Sequence, residues 1–323
     1  MKIGYFADGP WSHEAIKKIV ADERFEIAFI VPRYDCQDPV LKEWAETLGI
    51  DFLPIQNVNQ QDAIDELMAY EADLFVSMSF NQILKKDILQ AAPRGFINCH
   101  AGALPFYRGR NILNWVLIND EKEFGVTVHY IDEGIDTGDI IRQRMLSITD
   151  LDDYSTLLDT AIDVCAQLLY ESLDDIERDT VKRIQQNSIH PVGTYFGRRR
   201  EGDEWIDWNW TSRQIFNFVR AIKTPGPCAR TMFGEQTVLI ESASIISDAP
   251  EYIGTTGEVV GQDKNALIVK TGDSSIRLNK YIIESPTDLS SDTSKLKIKI
   301  GSRLESAAIQ SLAQRIADLE KSK

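Results

Sequence analysis

Cysteine is scarce in this sequence and poorly spaced for joint work. Its four copies, Cys36, Cys99, Cys165 and Cys228, contain no CxxC unit. That spacing excludes a CxxC redox or zinc motif and leaves reduced thiols in a reducing compartment, which points to a cytoplasmic protein. The four histidines, His13, His100, His129 and His190, show no zinc spacing, so no metal site is expected. No apolar run approaches the roughly 20 residues that span a bilayer. The opening MKIGYFADGPWSHEA has no long apolar stretch and carries Asp8, so neither a membrane partner nor a secretory leader is expected. Basic residues are also short. There are 35 Lys and Arg against 50 Asp and Glu, a formal net charge of −15. Such a field repels polyanions, so no nucleic-acid partner is expected. The one obvious basic cluster, Arg198-Arg199-Arg200, fits either a phosphate contact or a solvated loop. Finally, no GxGxxG follows the first apolar strand, so the dinucleotide fingerprint is missing.

What is present is an ordinary apolar share, 43% of 323 residues, enough for two domains at roughly 100–200 residues each. Apolar runs at 2–7, 25–31, 51–55, 73–79 and 95–100 alternate with helical spacing at 12–21 (Ser12 as N-cap), 41–48 and 62–70. Strands at 124–131 and 139–146 and a long helix at 153–176 follow. This alternation predicts an α/β fold with a Rossmann-like, mostly parallel sheet. Residues 181–204 are polar and read as a connector between a catalytic domain (1–180) and a smaller domain (205–300). After a helix at 212–221, short strands at 236–242, 257–261, 266–271 and 275–283 suggest a small C-terminal β-barrel. Residues 301–323 read as a terminal helix that packs on the barrel or joins two subunits as a homodimer.

The chemistry concentrates in FINCHAGALPFYRGRNILNW (96–115) and GVTVHYIDEGIDTGDII (125–141). Asn98 and His100 are two apart on a strand, so they share a face. They lie at its C-terminal end, where open α/β sheets place ligands. A carboxamide can donate to a developing oxyanion, and an imidazole moves protons near neutral pH. A carboxylate from the loop 132–139 would stabilise the imidazolium. Spacing alone does not select among Asp132, Glu133, Asp136 and Asp139. Taken singly, these residues also fit a satisfied strand end beside a solvated acidic turn.

As a set they resemble the 10-formyltetrahydrofolate-dependent formyltransferases. The Asn-x-His of Asn98 and His100, the loop His-Ala-Gly-Ala-Leu-Pro-Phe-Tyr-Arg-Gly (100–109) and the Asp-x-Gly of Asp136 carry the likeness. The sequence departs at Gly102-Ala103, where Ser-Leu is usual. EWIDWNWTSRQIFNFVRAIKTPGPCA (204–229) resembles the start of the barrel domain in the tRNA and several sugar formyltransferases. The resemblance implies Asn98, His100 and Asp136 as the catalytic trio, with N10-formyltetrahydrofolate as co-substrate. It also implies a folate site drawn from Ser79, Phe80, Asn81, Ile83, Arg110, Asp132, Glu133, Gly134, Ile135 and Ile140, with Phe80, Ile83 and Ile140 as apolar walls. Acceptor contacts are expected from Gly102, Tyr107, Arg108, Tyr195 and Arg198, with Trp205, Trp208 and Trp210 as stacking or packing surfaces. The negative charge favours a nucleotide-linked 4-amino-4,6-dideoxy sugar, destined for a surface glycan, over methionyl-tRNA. A catalytically inactive folate- or nucleotide-binding module is the remaining alternative.

Overall fold

The computed structural model describes residues 1–263, 266–284 and 297–306. In chain order its elements begin with β1 (Lys2–Ala7), α1 (Gly9–Val20), β2 (Glu26–Val31), α2 (Pro39–Leu48), β3 (Asp51–Phe52), α3 (Gln61–Met68), β4 (Leu74–Met78), α4 (Lys86–Leu89) and β5 (Phe96–His100). They continue with β6 (Arg108–Gly109), α5 (Ile112–Ile118), β7 (Glu123–Tyr130), β8 (Ile140–Ser147), α6 (Tyr154–Glu177), α7 (Gln186–Ile189) and β9 (Tyr195–Phe196). The last are α8 (Ser212–Ile222), β10 (Ala229–Phe233), β11 (Gln236–Ile245), β12 (Val259–Asp263), β13 (Ala266–Lys270) and β14 (Ser275–Ile283). The chain divides into two compact units. One contains Met1–Ile112, Glu123–Ile148 and Leu158–Arg198. The other contains Leu113–Lys122, Thr149–Leu157 and Arg199–Lys323. Of residues 181–204, read from sequence as a connector, 181–198 fall in the first unit and 199–204 in the second.

In the first unit seven strands run in the order β3-β2-β1-β4-β5-β7-β8. The five from β3 to β5 pair in parallel, and β7 and β8 add antiparallel ones. This is the mostly parallel α/β sheet that the alternation predicted. Strand β4, buried along its whole length, shows why its sequence is continuously apolar: both faces are covered. Phe6, Phe29, Phe75 and Phe96 form an aromatic centre, Phe6 and Phe96 with ring centroids 4.8 Å apart. Burial of each such ring contributes about 2–3 kcal/mol.

Helix ends follow local chemistry. Asp38 caps α2 by accepting from the Val40 and Leu41 N–H groups, Pro39 fills the first turn, and Gly49 closes the helix in a left-handed conformation. The expected cap of α1 is corrected. The helix begins at Gly9, not Ser12, because Pro10 is accommodated in its first turn, and the Ser12 hydroxyl bonds back to the Gly9 carbonyl.

The second unit carries α8, opened by a capping box between Thr211 and Gln214. Its five-stranded antiparallel sheet has the order β10-β11-β14-β13-β12. Residues 301–305 bond to both edges. Met232 pairs with Glu305, and Glu258 bridges Arg303. The expected barrel is thus an open sheet whose edges share one bridging segment. Strand β10 was missed from sequence. Trp208 is buried within this unit and donates its Nε1–H to Thr231 Oγ1 at 2.9 Å. The terminal helix expected over 301–323 falls largely outside the described residues.

Candidate active site

Strand β5 ends the parallel part of the sheet, and its pleat puts Asn98 and His100 on one face, with Cys99 on the other. Antiparallel pairing with β7 sets Asn98 opposite His129 and His100 opposite Thr127. The turn between β7 and β8 then returns Asp136 to the same edge. Asp132 builds this turn by accepting from the Gly134 N–H (3.1 Å) and the Thr137 hydroxyl (2.5 Å). Asp136 sits at φ +53°, in the left-handed region. Its carboxylate lies between two imidazoles, 3.8 Å from His100 Nδ1 and 3.7 Å from His129 Nε2, and accepts from the Gly109 N–H at 2.9 Å. Both histidine separations are too long for hydrogen bonds.

Each ring's proton can be placed from its fixed partner. A carbonyl only accepts. His100 Nε2 is 2.7 Å from the Tyr107 carbonyl, so Nε2 carries hydrogen. Nδ1 is then the atom that faces Asp136 and carries the lone pair of the neutral ring. His129 Nδ1 is 2.7 Å from the Tyr130 carbonyl, so Nδ1 is the donor and Nε2 keeps a lone pair in the neutral ring. That lone pair accepts from Asn98 Nδ2 at 3.4 Å. Burial pushes the His129 pKa below its ordinary 6.5, against the pull of the Asp136 carboxylate. The result is a neutral ring that orients the Asn98 amide.

The loop after β5 is strapped across the chain. Strands β6 and β9 pair in parallel, and the Tyr107 ring stacks on Phe196 at 4.9 Å. At Gly109, φ is +100° and an added Cβ would stand 2.1 Å from the Phe196 carbonyl oxygen. Only glycine fits there. Gly102 is equally constrained. A Cβ would lie 2.5 Å from His100 Nε2 and 2.5 Å from the Tyr107 oxygen. The departure from Ser at this position is therefore what gives room to the bond between those two atoms. Carboxamide, imidazole and carboxylate thus converge as carbonyl addition requires: donors for a growing oxyanion, and a proton carrier backed by a negative charge.

Residues 33–173 match the formyl transferase family model, and residues 199–291 match its C-terminal domain. The chain belongs to the formyl transferase family. It is 33% identical to a methionyl-tRNA formyltransferase of Geobacter metallireducens, over 78% of this chain and 79% of that one. A methionyl-tRNA formyltransferase of Listeria monocytogenes is 34% identical over 74% of each. Among solved structures, the Helicobacter canadensis N-formyltransferase in complex with folinic acid and dTDP-3-aminofucose has a TM-score of 0.67 at 21% identity, covering 87% of this chain and all of that one. The sugar 3N-formyltransferase WlaRD, solved with dTDP and 5-N-formyl-THF, has a TM-score of 0.65 at 23% identity, covering 90% and 99%. These two likenesses establish the fold.

In this formyl transferase chain the expected folate residues lie in the loop after β4, just after β6, in the β7–β8 turn and at the start of β8. Ser79 is exposed at φ +61°. Phe80 packs edge-on against Phe6 at 5.6 Å. Asn81 donates to Asp35 at 3.2 Å. Ile83 (75%) and Ile135 (52%) are uncovered, while Ile140, at 2%, belongs to the core. Arg110, Asp132, Glu133 and Gly134 are exposed. Of the expected acceptor residues, Tyr195 and Arg198 are exposed, and Gly102 and Tyr107 frame His100. Arg108 turns inward, donating to Gln186 Oε1 and the Val192 carbonyl. Among the described residues no group of three or more His, Cys, Asp or Glu could hold a metal ion, and no helix is long and apolar enough to cross a membrane. His129, Gly109 and Gln186 were not singled out from sequence. Their roles depend on strand register and on contacts between distant segments.

Proposed function

We propose that this protein moves a formyl group from N10-formyltetrahydrofolate to the amine of a nucleotide-linked 4-amino-4,6-dideoxy sugar, carried on UDP or dTDP, for a surface glycan made from the cytoplasm. The observation that carries this reading is the meeting of Asn98, His100 and Asp136 at one sheet edge, with His100 Nδ1 directed at the carboxylate. The loop after β4 and the β7–β8 turn also offer groups that suit a flat heteroaromatic donor. Asn81 Oδ1 is buried with no partner among the described residues, and Ile83 and Ile135 are uncovered apolar side chains. An N–H-bearing ring with apolar faces would satisfy both.

The donor supplies an activated formyl carbonyl on N10. As the amine adds, the Asn98 amide donates to the formyl oxygen, which gains negative charge. His100 accepts the amine proton at Nδ1. Asp136 and the Tyr107 carbonyl stabilise the resulting imidazolium. The bond from the formyl carbon to N10 breaks as the new C–N bond is kept, and His100 returns the proton to N10. His100→Asn is expected to lower turnover by about 100- to 10,000-fold while the fold is retained. Wild-type turnover in that variant would refute the assignment.

The sugar acceptor is supported by the net charge of −15 and by the near-complete coverage of two sugar N-formyltransferase chains. The methionyl-tRNA reading is favoured by the names of the curated relatives. Incubation with N10-formyltetrahydrofolate and either a panel of UDP- and dTDP-aminosugars or charged initiator tRNA separates them. Product from tRNA alone overturns the sugar reading, and no product from either favours an inactive binding module.

A further inference from the structure

Gln186 opens the one-turn helix α7 and is 3% exposed, yet no step above uses it. Its amide is fully engaged. Nε2 donates to the carbonyl oxygens of Asp136 and Gly138, both at 2.8 Å. Oε1 accepts from Arg108 Nε at 3.0 Å and Arg108 Nη2 at 2.7 Å. An amide offers two N–H donors and two lone pairs, so all four are satisfied. The amide's orientation is fixed as well, since the two carbonyls can only accept and the guanidinium can only donate.

The consequence falls on Asp136. This residue holds a left-handed φ of +53°, a conformation that persists where the surroundings over-determine it. Gln186 grips the turn at Asp136 and again two residues later. At Gly138 the turn lies so close to β7 that an added Cβ would stand 1.9 Å from the Tyr130 carbonyl oxygen. On its other side Gln186 is tied through Arg108 to the strap whose Gly109 N–H holds the Asp136 carboxylate. We infer that Gln186 is a positioning residue: it clamps the Asp136–Gly138 turn to the Arg108 strap and thereby sets the carboxylate beside His100 Nδ1. Its rate readout rests on the proposed formyl transfer.

The test is a double-mutant cycle of Gln186→Met with Asp136→Asn. Methionine removes all four hydrogen bonds at similar volume. Rates are read on transfer to the aminosugar and, separately, on hydrolysis of N10-formyltetrahydrofolate. In hydrolysis water oxygen bonds to the formyl carbon, the bond to N10 breaks and N10 takes a proton, giving formate and tetrahydrofolate. In both reactions Gln186→Met is expected to lower kcat by about 100-fold, as a displacement of roughly 1 Å does, with little change in donor KM. In the Asp136→Asn background it should cost nothing further, because the two act as one unit. Additive losses, or a raised KM with unchanged kcat, would overturn the inference. Wild-type hydrolysis without sugar formylation would sink the acceptor assignment and leave the cycle readable. Gln186→Glu, which keeps the Arg108 contacts but turns an oxygen toward two carbonyls, should show the same kcat loss if the Met variant does not fold. Crystal structures test the clamp independently of any activity: an Asp136 carboxylate still 3.8 Å from His100 Nδ1 in the Gln186 variant overturns it, and a displaced one supports it.

Discussion

Replacing Gly102 by alanine adds one methyl group at the one place where His100 and Tyr107 leave no room. Gly102 has no left-handed φ, so the effect is steric and free of backbone strain. The new Cβ would begin 2.5 Å from His100 Nε2, 2.5 Å from the Tyr107 carbonyl oxygen and 2.7 Å from His100 Cδ2. Carbon and oxygen or nitrogen settle more than 3 Å apart, so ring or carbonyl must retreat by about half an ångström or more. Either movement lengthens the 2.7 Å bond that holds the imidazole. Its loss removes about 1 kcal/mol, and a buried donor left unpaired costs about 1–3 kcal/mol. The ring then no longer presents Nδ1 to Asp136. A misplacement of this size lowers kcat by about 10- to 100-fold. The assay is steady-state formyl transfer with the donor varied, beside a thermal melt in which about 2 kcal/mol appears as roughly 4–8 °C. The expected result is a kcat loss with donor KM nearly unchanged. Wild-type kcat in Gly102→Ala would show that the His100–Tyr107 bond does not set the reactive ring, and the mechanism drawn through Nδ1 would fall with it.

Gly109→Ala should destabilise rather than merely slow the protein. A side chain at φ +100° costs about 1–2 kcal/mol, and contact with the Phe196 oxygen opens the β6–β9 pairing. A loss of about 3 kcal/mol, or on the order of 6–12 °C by calorimetry, is expected, and an unchanged melting temperature would contradict it. The buried His129 predicts a pH dependence. Its pKa is depressed in the fold, so the unfolded chain takes up the proton first. Its neutral contribution is therefore complete above the ordinary value of 6.5 and is lost as pH falls below it toward the folded value. Melting temperature should decline over that interval in the wild type and decline less in His129→Gln. Identical slopes would count against a neutral His129.

The sheet was legible where one local signal dominated. Strands β1, β2, β4 and β5 show as apolar runs, a pattern that each segment carries alone, and β4 is buried along its whole length. Boundaries failed where two local signals competed. Ser12 looked like a cap, but Pro10 already suits a first turn, so α1 starts earlier. The strand expected over 51–55 shrinks to Asp51–Phe52, since Pro54 has no N–H to give a ladder. Residues 181–198 looked like a linker because they are polar and aperiodic. Their order comes from Gln186 and from the β6–β9 pairing, which join them to segments about 80 residues earlier.

The site divides along the same line. Asn98 and His100 share a face by adjacency, which strand periodicity makes visible. Local spacing left four acids open, and the motif resemblance, not periodicity, singled out Asp136. What brings that carboxylate to 3.8 Å from His100 Nδ1 is register: β7 pairs His129 with Asn98 and Thr127 with His100, and the turn carries the acid back the remaining distance. Register also explains why His129 stayed hidden. As an isolated histidine on an apolar strand it resembles a satisfied core residue. Only beside Asn98, with its Nδ1–H already given to Tyr130, does its lone pair acquire a task. Gly102 follows the same logic in reverse. Its chemistry is an absence, and the absence of a side chain has meaning only once His100 and the Tyr107 carbonyl are seen to meet where that side chain would stand.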